Sequence, residues 1–367
     1  KRIFIICKFR YTMALRAIAF CLFGGNVIAC AAAPDSTRLH LTVYADVYTS
    51  IKPRANGSHT AGANIYSYHR VNELALNMAL LDASWQVDKR TTLNVGMMTG
   101  TYAQANLSNE PDLFRFVYEA NVVYALMPQH GLTLQAGIFP SHIGMESTIG
   151  IQNPTLTRSL QADNSPYYES GLKLTKAIGS DRGELAILLL NGWQQIARNT
   201  GQTRPAVGHQ FWYKPHSKWV FNSSSFIGNI DWDSLGRTRY FHDAWLQYTP
   251  NEHWMLAGGF DIGNQRRGAP QFGGRWWSTL QVLAQYKVTS RLKACARWER
   301  VNDFHQVVFT WADNETHRLH GYSLNADYAL SERLHWRTEV RCLKQQYQVS
   351  QWYGTVSLLC YFKKSVS

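Results

Sequence analysis

The residues of this chain that could do chemistry are thirteen histidines and several evenly spaced sets of charges. A hydrolytic site built on one strand face needs a histidine and a serine two positions apart, because only then do both point the same way. No His-x-Ser occurs in the sequence. His242 and Asp243 are adjacent, so on a strand they face opposite sides and cannot share a site. The charges are more regular. Arg115 and Glu119 are an even number of residues apart, as are Lys293, Arg297 and Glu299, and then Arg337, Glu339 and Arg341. Each set therefore occupies one face of an extended segment. Charges lining a water-filled passage set ion preference through the local field, whereas paired charges merely brace and hydrate a wall. Both readings stay open for any single residue.

The elements that position these charges repeat one pattern. Leu39, Leu41, Val43, Ala45 and Val47 fall on one face of the first segment; His40, Thr42, Tyr44, Asp46 and Tyr48 fall on the other. Alternation of this kind predicts sixteen strands, near 39–50, 71–85, 91–103, 114–127, 132–139, 168–177, 183–193 and 206–214, then 219–229, 239–249, 254–263, 275–288, 291–301, 319–330, 334–344 and 351–362. Short links such as Val87–Arg90, Pro128–Gly131, Pro215–Lys218, Pro250–His253 and Ser331–Arg333 alternate with mostly longer ones, 140–167 being the longest. An even number of strands about ten residues long, joined by short and long links in turn, is the pattern of a transmembrane antiparallel up-and-down barrel.

A soluble sandwich also alternates polar and apolar residues. Three features favour the barrel. The apolar faces carry almost no charge, as in Phe114, Phe116, Tyr118, Ala120, Val122, Tyr124 and Leu126. Aromatics gather beside the short links, at Tyr124, Tyr213, Trp219, Tyr248, Trp254, Tyr286, Tyr328 and Trp336, where a membrane interface would hold them. The first residues also read as a secretory leader: Lys1, Arg2, Lys8, Arg10 and Arg16, an apolar stretch from Ala17 to Ile28, and an Ala29-Cys30-Ala31 exit. The expected division is a signal peptide over 1–31, with 1–12 a gene-start artefact if Met13 is the start, and a barrel over 32–367. Val27-Ile28-Ala29-Cys30 also fits a lipoprotein box, which would place a lipid on Cys30.

Composition narrows the class further. The chain is 45% hydrophobic and 13% aromatic, with a mean hydropathy of −0.28, too polar for a bundle of membrane helices. Its net charge of +12 falls to about +7 without the five leader cations. The remaining cations are dispersed, so nucleic acid is not an expected partner. Cys295, Cys342 and Cys360 lie on strands with no metal-type spacing, and neither a disulfide framework nor a cofactor is expected.

Several stretches resemble the OmpL-like family of outer-membrane β-barrel porins of Gram-negative bacteria. They include Asn72-Glu73-Leu74-Ala75-Leu76-Asn77-Met78-Ala79-Leu80-Leu81, Ala136-Gly137-Ile138-Phe139-Pro140-Ser141-His142-Ile143-Gly144-Met145-Glu146-Ser147, Leu156-Thr157-Arg158-Ser159-Leu160 and Asn164-Ser165-Pro166-Tyr167-Tyr168-Glu169-Ser170-Gly171-Leu172-Lys173-Leu174-Thr175. Gly259-Phe260-Asp261-Ile262-Gly263 and Gly321-Tyr322-Ser323-Leu324-Asn325-Ala326-Asp327-Tyr328 carry the likeness nearly to the end. The resemblance implies a passive diffusion channel in the outer membrane for small hydrophilic solutes or ions, and supplies no catalytic residue. Its partners would be outer-membrane lipid, the solutes, the barrel-insertion machinery and, as in many porins of this size, two further copies in a homotrimer.

Within that frame the candidate pore-lining residues are Asp46, Glu73, Arg115, Glu119, Lys173, Asp261, Lys293, Arg297, Glu299, Arg337, Glu339 and Arg341. The long link 140–167 is the third outer one. In general porins that loop folds inward, which makes Glu146, Arg158 and Asp163 constriction candidates by analogy; a lid outside the barrel is the alternative. Leu76→Arg and Val122→Arg should meet lipid and be costly, while Asn77→Arg and Asn121→Arg should meet water and cost far less. A sixteen-strand chain has no room for the plug of a 22-strand transporter. A non-conducting structural or adhesive barrel is the nearest rival, and an outer-membrane enzyme a more distant one. A residual departure is the tail Lys363-Lys364-Ser365-Val366-Ser367 beyond the terminal aromatic Phe362.

Overall fold

The computed structural model describes residues 38–366 apart from 54, 56, 181, 269–272 and 311–317. The leader, and with it the choice between signal peptide and lipoprotein box, lies outside the described residues. Sixteen antiparallel strands close into one barrel: β1 Arg38–Ile51, β2 Leu74–Gln86, β3 Thr91–Thr99, β4 Val117–Met127, β5 Leu132–Pro140, β6 Tyr168–Ile178, β7 Gly183–Leu190, β8 Ala206–Tyr213, β9 Trp219–Asn229, β10 Thr238–Tyr248, β11 Trp254–Arg266, β12 Gly274–Lys287, β13 Leu292–Asp303, β14 Arg318–Ala329, β15 Leu334–Gln345 and β16 Gln351–Val366. Every strand pairs with its sequence neighbours, and β1 pairs with β16. Closure leaves no row of unpaired amides against lipid, which is the condition for strands to span a membrane. Short links at one end and longer ones at the other place both strand termini, Arg38 and Val366, on the short-turn side.

Period-two alternation sorts the side chains. On β1, Tyr44, Asp46 and Tyr48 are at most 1% exposed, while the intervening Val43 and Val47 are 44% and 39% exposed. Leu81, Val95, Val122, Leu172, Ile187, Val282 and Val340 continue the exposed apolar belt. Beside the short turns, Trp219 stacks on Tyr248 at 4.1 Å and Trp254 meets Tyr286 at 4.7 Å, consistent with an interfacial girdle. One polar island interrupts the belt. His209, Ser225 and His242 share the outward face of β8, β9 and β10, with His209 Nδ1 bonded to Ser225 Oγ at 2.5 Å.

Four expectations need correction. The tail after Phe362 is not an overhang: Lys363 to Val366 continue β16 and pair with Thr42 to Leu39, completing the closing seam. Residues 100–103 leave the sheet, because the chain turns at Gly100 into a short helix, α1 (Thr101–Asn106). The apolar alternation at Phe114, Phe116 and Tyr118 precedes or begins the strand rather than forming its lipid face. A 3-10 turn covers Asp112–Phe114, β4 starts at Val117, and the register against β3 shifts between Gly96 and Met97. That irregularity sends Tyr118 to the interior cluster with Tyr44 and Met78.

The fourth correction concerns hydration. Asn77 and Asn121 do point inward, but they are 2% and 3% exposed. Asn121 accepts from Asn94 and Gln135, both at 2.9 Å, and donates to Glu119 and the Ile138 carbonyl. Asn121→Arg must overfill that site and break its amide contacts, at about 2–4 kcal/mol. Val122→Arg costs about the same for a different reason, a charge in the lipid band. Urea unfolding in lipid vesicles should rank the two variants together. An Asn121→Arg protein as stable as wild type would show a hydrated site instead.

Candidate pore constriction

β5 and β6 carry the long segment 141–167 between them, and it folds into the bore. The two strands are prepared for this by facing glycines. Gly137 and Gly171 are register partners with φ of 126° and 152°. A Cβ on them would lie 2.2 Å from the Ala120 carbonyl and 2.0 Å from the Leu189 carbonyl, so only glycine permits this backbone. Above them Phe139 and Glu169 turn inward, and His142 links the start of the segment to the wall. Its Nδ1 meets Glu169 at 2.9 Å and its Nε2 meets the Ser225 carbonyl at 2.9 Å.

From there the segment crosses the bore, because its contacts fall on widely separated strands. The Gly144 amide donates to Asp243 on β10 (3.1 Å), and the Gly150 amide to Tyr44 on β1 (3.2 Å). Gln161, in the short helix α2 (Leu160–Asp163), donates to Asp261 on β11. Residues 153–163 are all buried.

The evenly spaced charges on β13 and β15 explain how a segment without regular structure is held. Their guanidiniums donate to its backbone carbonyls: Arg297 to Thr157 (2.7 Å), Arg337 to Gly150 (2.6 Å) and Asn153 (2.9 Å), and Arg341 to Arg158 (3.2 Å). Their carboxylates accept its amides: Glu339 from Thr157 (2.6 Å) and Glu299 from Leu160 (2.5 Å). On the strand between them, Asn325 accepts from Leu156 at 2.9 Å. The same groups also pair with each other, Arg341 with Glu299 at 2.9 Å and Arg297 with Glu339 at 3.3 Å. Alternating donors and acceptors on the wall thus match alternating carbonyls and amides of the segment. This satisfies backbone groups that would be costly to bury alone.

Six of the twelve candidate lining residues therefore meet the inward segment: Asp261, Arg297, Glu299, Arg337, Glu339 and Arg341. Asp46 is buried among Tyr44, Tyr68, Asn77 and Ser357. Glu119 accepts from Asn121 at 2.8 Å. Lys173 donates to Gln210 at 2.9 Å and is half-buried, as is Lys293 near the short-turn end. Two residues are not on the wall at all. Arg115 follows the 3-10 turn and pairs with Asp112 at 3.0 Å. Glu73 ends the first outer link, where Arg70 donates to it at 2.6 and 3.0 Å and holds its carboxyl below the usual range. In both cases an apolar run next to the residue mimicked strand alternation.

The constriction candidates lie inside the barrel, Arg158 and Asp163 buried and Glu146 half-buried. Arg158 is 5% exposed; it donates to Tyr102 of α1 and lies 5.8 Å over that ring. Glu146 accepts the Ser159 amide at 2.8 Å. Asp163 accepts from the Tyr66 and Ser67 amides and the Ser67 hydroxyl. Burial pushes the Asp163 carboxyl up, against the opposing pull of Arg158, Arg341 and those amides. Tyr68, Tyr102 and Asn325 are contributors that alternation alone did not single out. Only Asn325 carried a usable signal, by sharing an inner face with Ser323 and Asp327. The outer side of α2 is covered as well: Leu160 packs with Ala61, Ile65 and Val71 from the first outer link and Phe309 from the seventh.

With Arg158 buried among Tyr102, Asp163 and Glu146, Arg158→Glu should unseat the segment rather than simply recolour a pore. The expected result is a fall in thermal unfolding temperature together with a rise in conductance. A shifted reversal potential at unchanged stability and conductance would show that Arg158 faces solvent.

A closed sixteen-strand barrel with its third outer link drawn across the bore is a porin architecture. A family model described as "Putative beta-barrel porin-2, OmpL-like" matches residues 38–357. The chain belongs to this family. It is an outer-membrane porin of the Gram-negative type. Solved structures share the fold at low identity. The outer membrane channel DcaP of Acinetobacter baumannii is 10% identical with a TM-score of 0.60, over 91% of this chain and 99% of that one. An anion-selective porin from Comamonas acidovorans is 10% identical with a TM-score of 0.57, over 90% and 100%. OmpF of Salmonella typhi, solved with daunomycin, is 13% identical with a TM-score of 0.54, over 89% and 98%. No curated protein matches by sequence.

Proposed function

We propose that this porin is a narrow passive channel for small hydrophilic solutes and ions, with its throughput set by segment 141–167. The observation that carries the proposal is the run 153–163, buried inside the bore and bonded to β11, β13, β14 and β15. A segment fixed on several walls removes most of the cross-section and leaves only narrow routes beside it. Catalysis plays no part in this reading. Half-buried Lys173 and Lys293 face inward, and they favour anions in those routes. Liposome swelling tests the proposal. Vesicles holding the porin should swell in the smallest neutral sugars and exclude larger ones. Uniform exclusion of every solute would favour the structural or adhesive barrel.

Homotrimer formation belongs to the same reading. The outward island of His209, Ser225 and His242 is the part of the belt least suited to lipid, and a neighbouring copy would cover it. Sedimentation of the detergent-extracted porin should give the mass of three chains. A single-chain mass would remove this part of the proposal.

A further inference from the structure

The outer wall near the long loops carries a second feature, unrelated to the bore. Glu299, Leu319, Gly321 and Leu343 point inward, so their neighbours Arg300, His320 and Lys344 point outward. These three are register partners across β13, β14 and β15: Arg300 opposite His320, and His320 opposite Lys344. Arg300 and Lys344 thus flank His320 on both sides, two like charges held on one face of the sheet. Arg318 adds a further cation one step toward the loops, over the Phe304 ring at 5.8 Å. Among the described residues no carboxylate pairs with any of the four; Arg300 donates only to Asn302, at 3.4 Å. The Nδ1 of His320 is buried and has no hydrogen-bond partner. Arg318, His320, Lys344, Tyr322, Gln346 and Tyr347 line an open groove of about 430 Å³.

The depth of this row gives it meaning. The next outward row toward the membrane is Trp298, Tyr322 and Trp352, joined in register through Cys342. Aromatics at this level mark the boundary between acyl chains and headgroups. Eight residues separate His320 from Tyr328, the girdle residue at the other end of the same strand. At about 3.3 Å per residue and a tilt near 40°, the cation row sits roughly 20 Å above it, close to the height of the apolar band. Three cations and a histidine therefore stand at the phosphate level of the outer leaflet, with apolar wall directly beneath them.

We propose that this row is a binding site for a phosphorylated acyl glycolipid of the outer leaflet, of the lipid A type. Arg300, Arg318 and Lys344 hold the sugar phosphate, His320 donates from its ring, and the acyl chains lie along Tyr322 and Leu324. Arginine suits this role because its planar fork matches phosphate oxygens in pairs. A bound phosphate also offsets the crowding of Arg300, Arg318 and Lys344 on this part of the wall.

The test uses the folded full chain in detergent and native mass spectrometry with bis-phosphorylated lipid A. Wild type should retain lipid. The triple variant Arg300→Gln, Arg318→Gln, Lys344→Gln should retain about tenfold less, since three charge-assisted contacts are lost. A control triple at the short-turn end, Arg90→Gln, Lys218→Gln, Arg291→Gln, should retain as much as wild type. Heat-modifiable gel migration checks that each variant is folded. Lipid A lacking its phosphates should not be retained, and inorganic phosphate at equal concentration should not displace the lipid. Equal retention by the triple variant, or equal capture of the dephosphorylated lipid, would overturn the proposal. Displacement by equimolar phosphate would also overturn it, by showing a site for free anions.

Discussion

Deleting about ten residues between 147 and 160 should raise single-channel conductance several-fold, because those residues, not the barrel wall, limit flow in a constricted pore. The deletion removes the carbonyls and amides that Arg297, Arg337, Arg341, Glu299 and Glu339 now hold. Those side chains then become hydrated wall charges. They still pair across β13 and β15, so the barrel should fold without the segment. A sixteen-strand wall of this kind leaves a water-filled passage once nothing crosses it. Conductance equal to wild type in a folded deletion variant would place the limiting step elsewhere.

The second large effect is expected at Arg337. Its side chain is fully buried, donates to the Gly150 and Asn153 carbonyls, and lies 3.4 Å from Asp327. Arg337→Met leaves two buried carbonyls without their partner and takes a cation away from Asp327, which keeps His335 at 3.0 Å; removing one half of a buried pair costs about 3–5 kcal/mol. Arg337→Lys should recover only part of this, since an ammonium cannot span both carbonyls in the plane that the guanidinium does. Denaturant unfolding in vesicles reads the loss of stability. The same variant should show noisier current, because the entry half of the segment is no longer fixed. A stability change below about 1 kcal/mol, the level of exposed pairs, would show that Arg337 is solvated.

Most of the barrel was legible from the sequence for a physical reason. Lipid on one side and a polar interior on the other force period-two alternation, as at Val43, Tyr44, Ala45, Asp46 and Val47. The alternation misled where aromatics continued past the sheet: Phe114 and Phe116 precede β4, which displaced Arg115 from the wall. The strand spacing of Arg297, Glu299, Arg337, Glu339 and Arg341 was also legible, and so was their shared inward face. Their partners were not. Those partners are backbone carbonyls and amides of 150–160, which every residue type carries, so nothing in the composition of the segment announces them. Hydration of the interior was unreadable for the same reason. Asn77 and Asn121 look like water-facing amides in sequence, yet each is enclosed by polar groups close by: Asn77 by Asp46 and the Tyr68 amide, Asn121 by Glu119 and by Asn94 and Gln135 of the flanking strands. Gly137 and Gly171 were visible only as members of the runs that carry the family resemblance; their role depends on the register that sets them opposite each other.

Single-channel recording of the unmodified porin in a planar bilayer tests the central claim most directly. The inward segment should give small, discrete current steps, well below those of the 147–160 deletion recorded under the same salt. A wild-type protein that folds and inserts yet passes no current would contradict the porin reading; steps as large as those of the deletion would contradict the role of the segment.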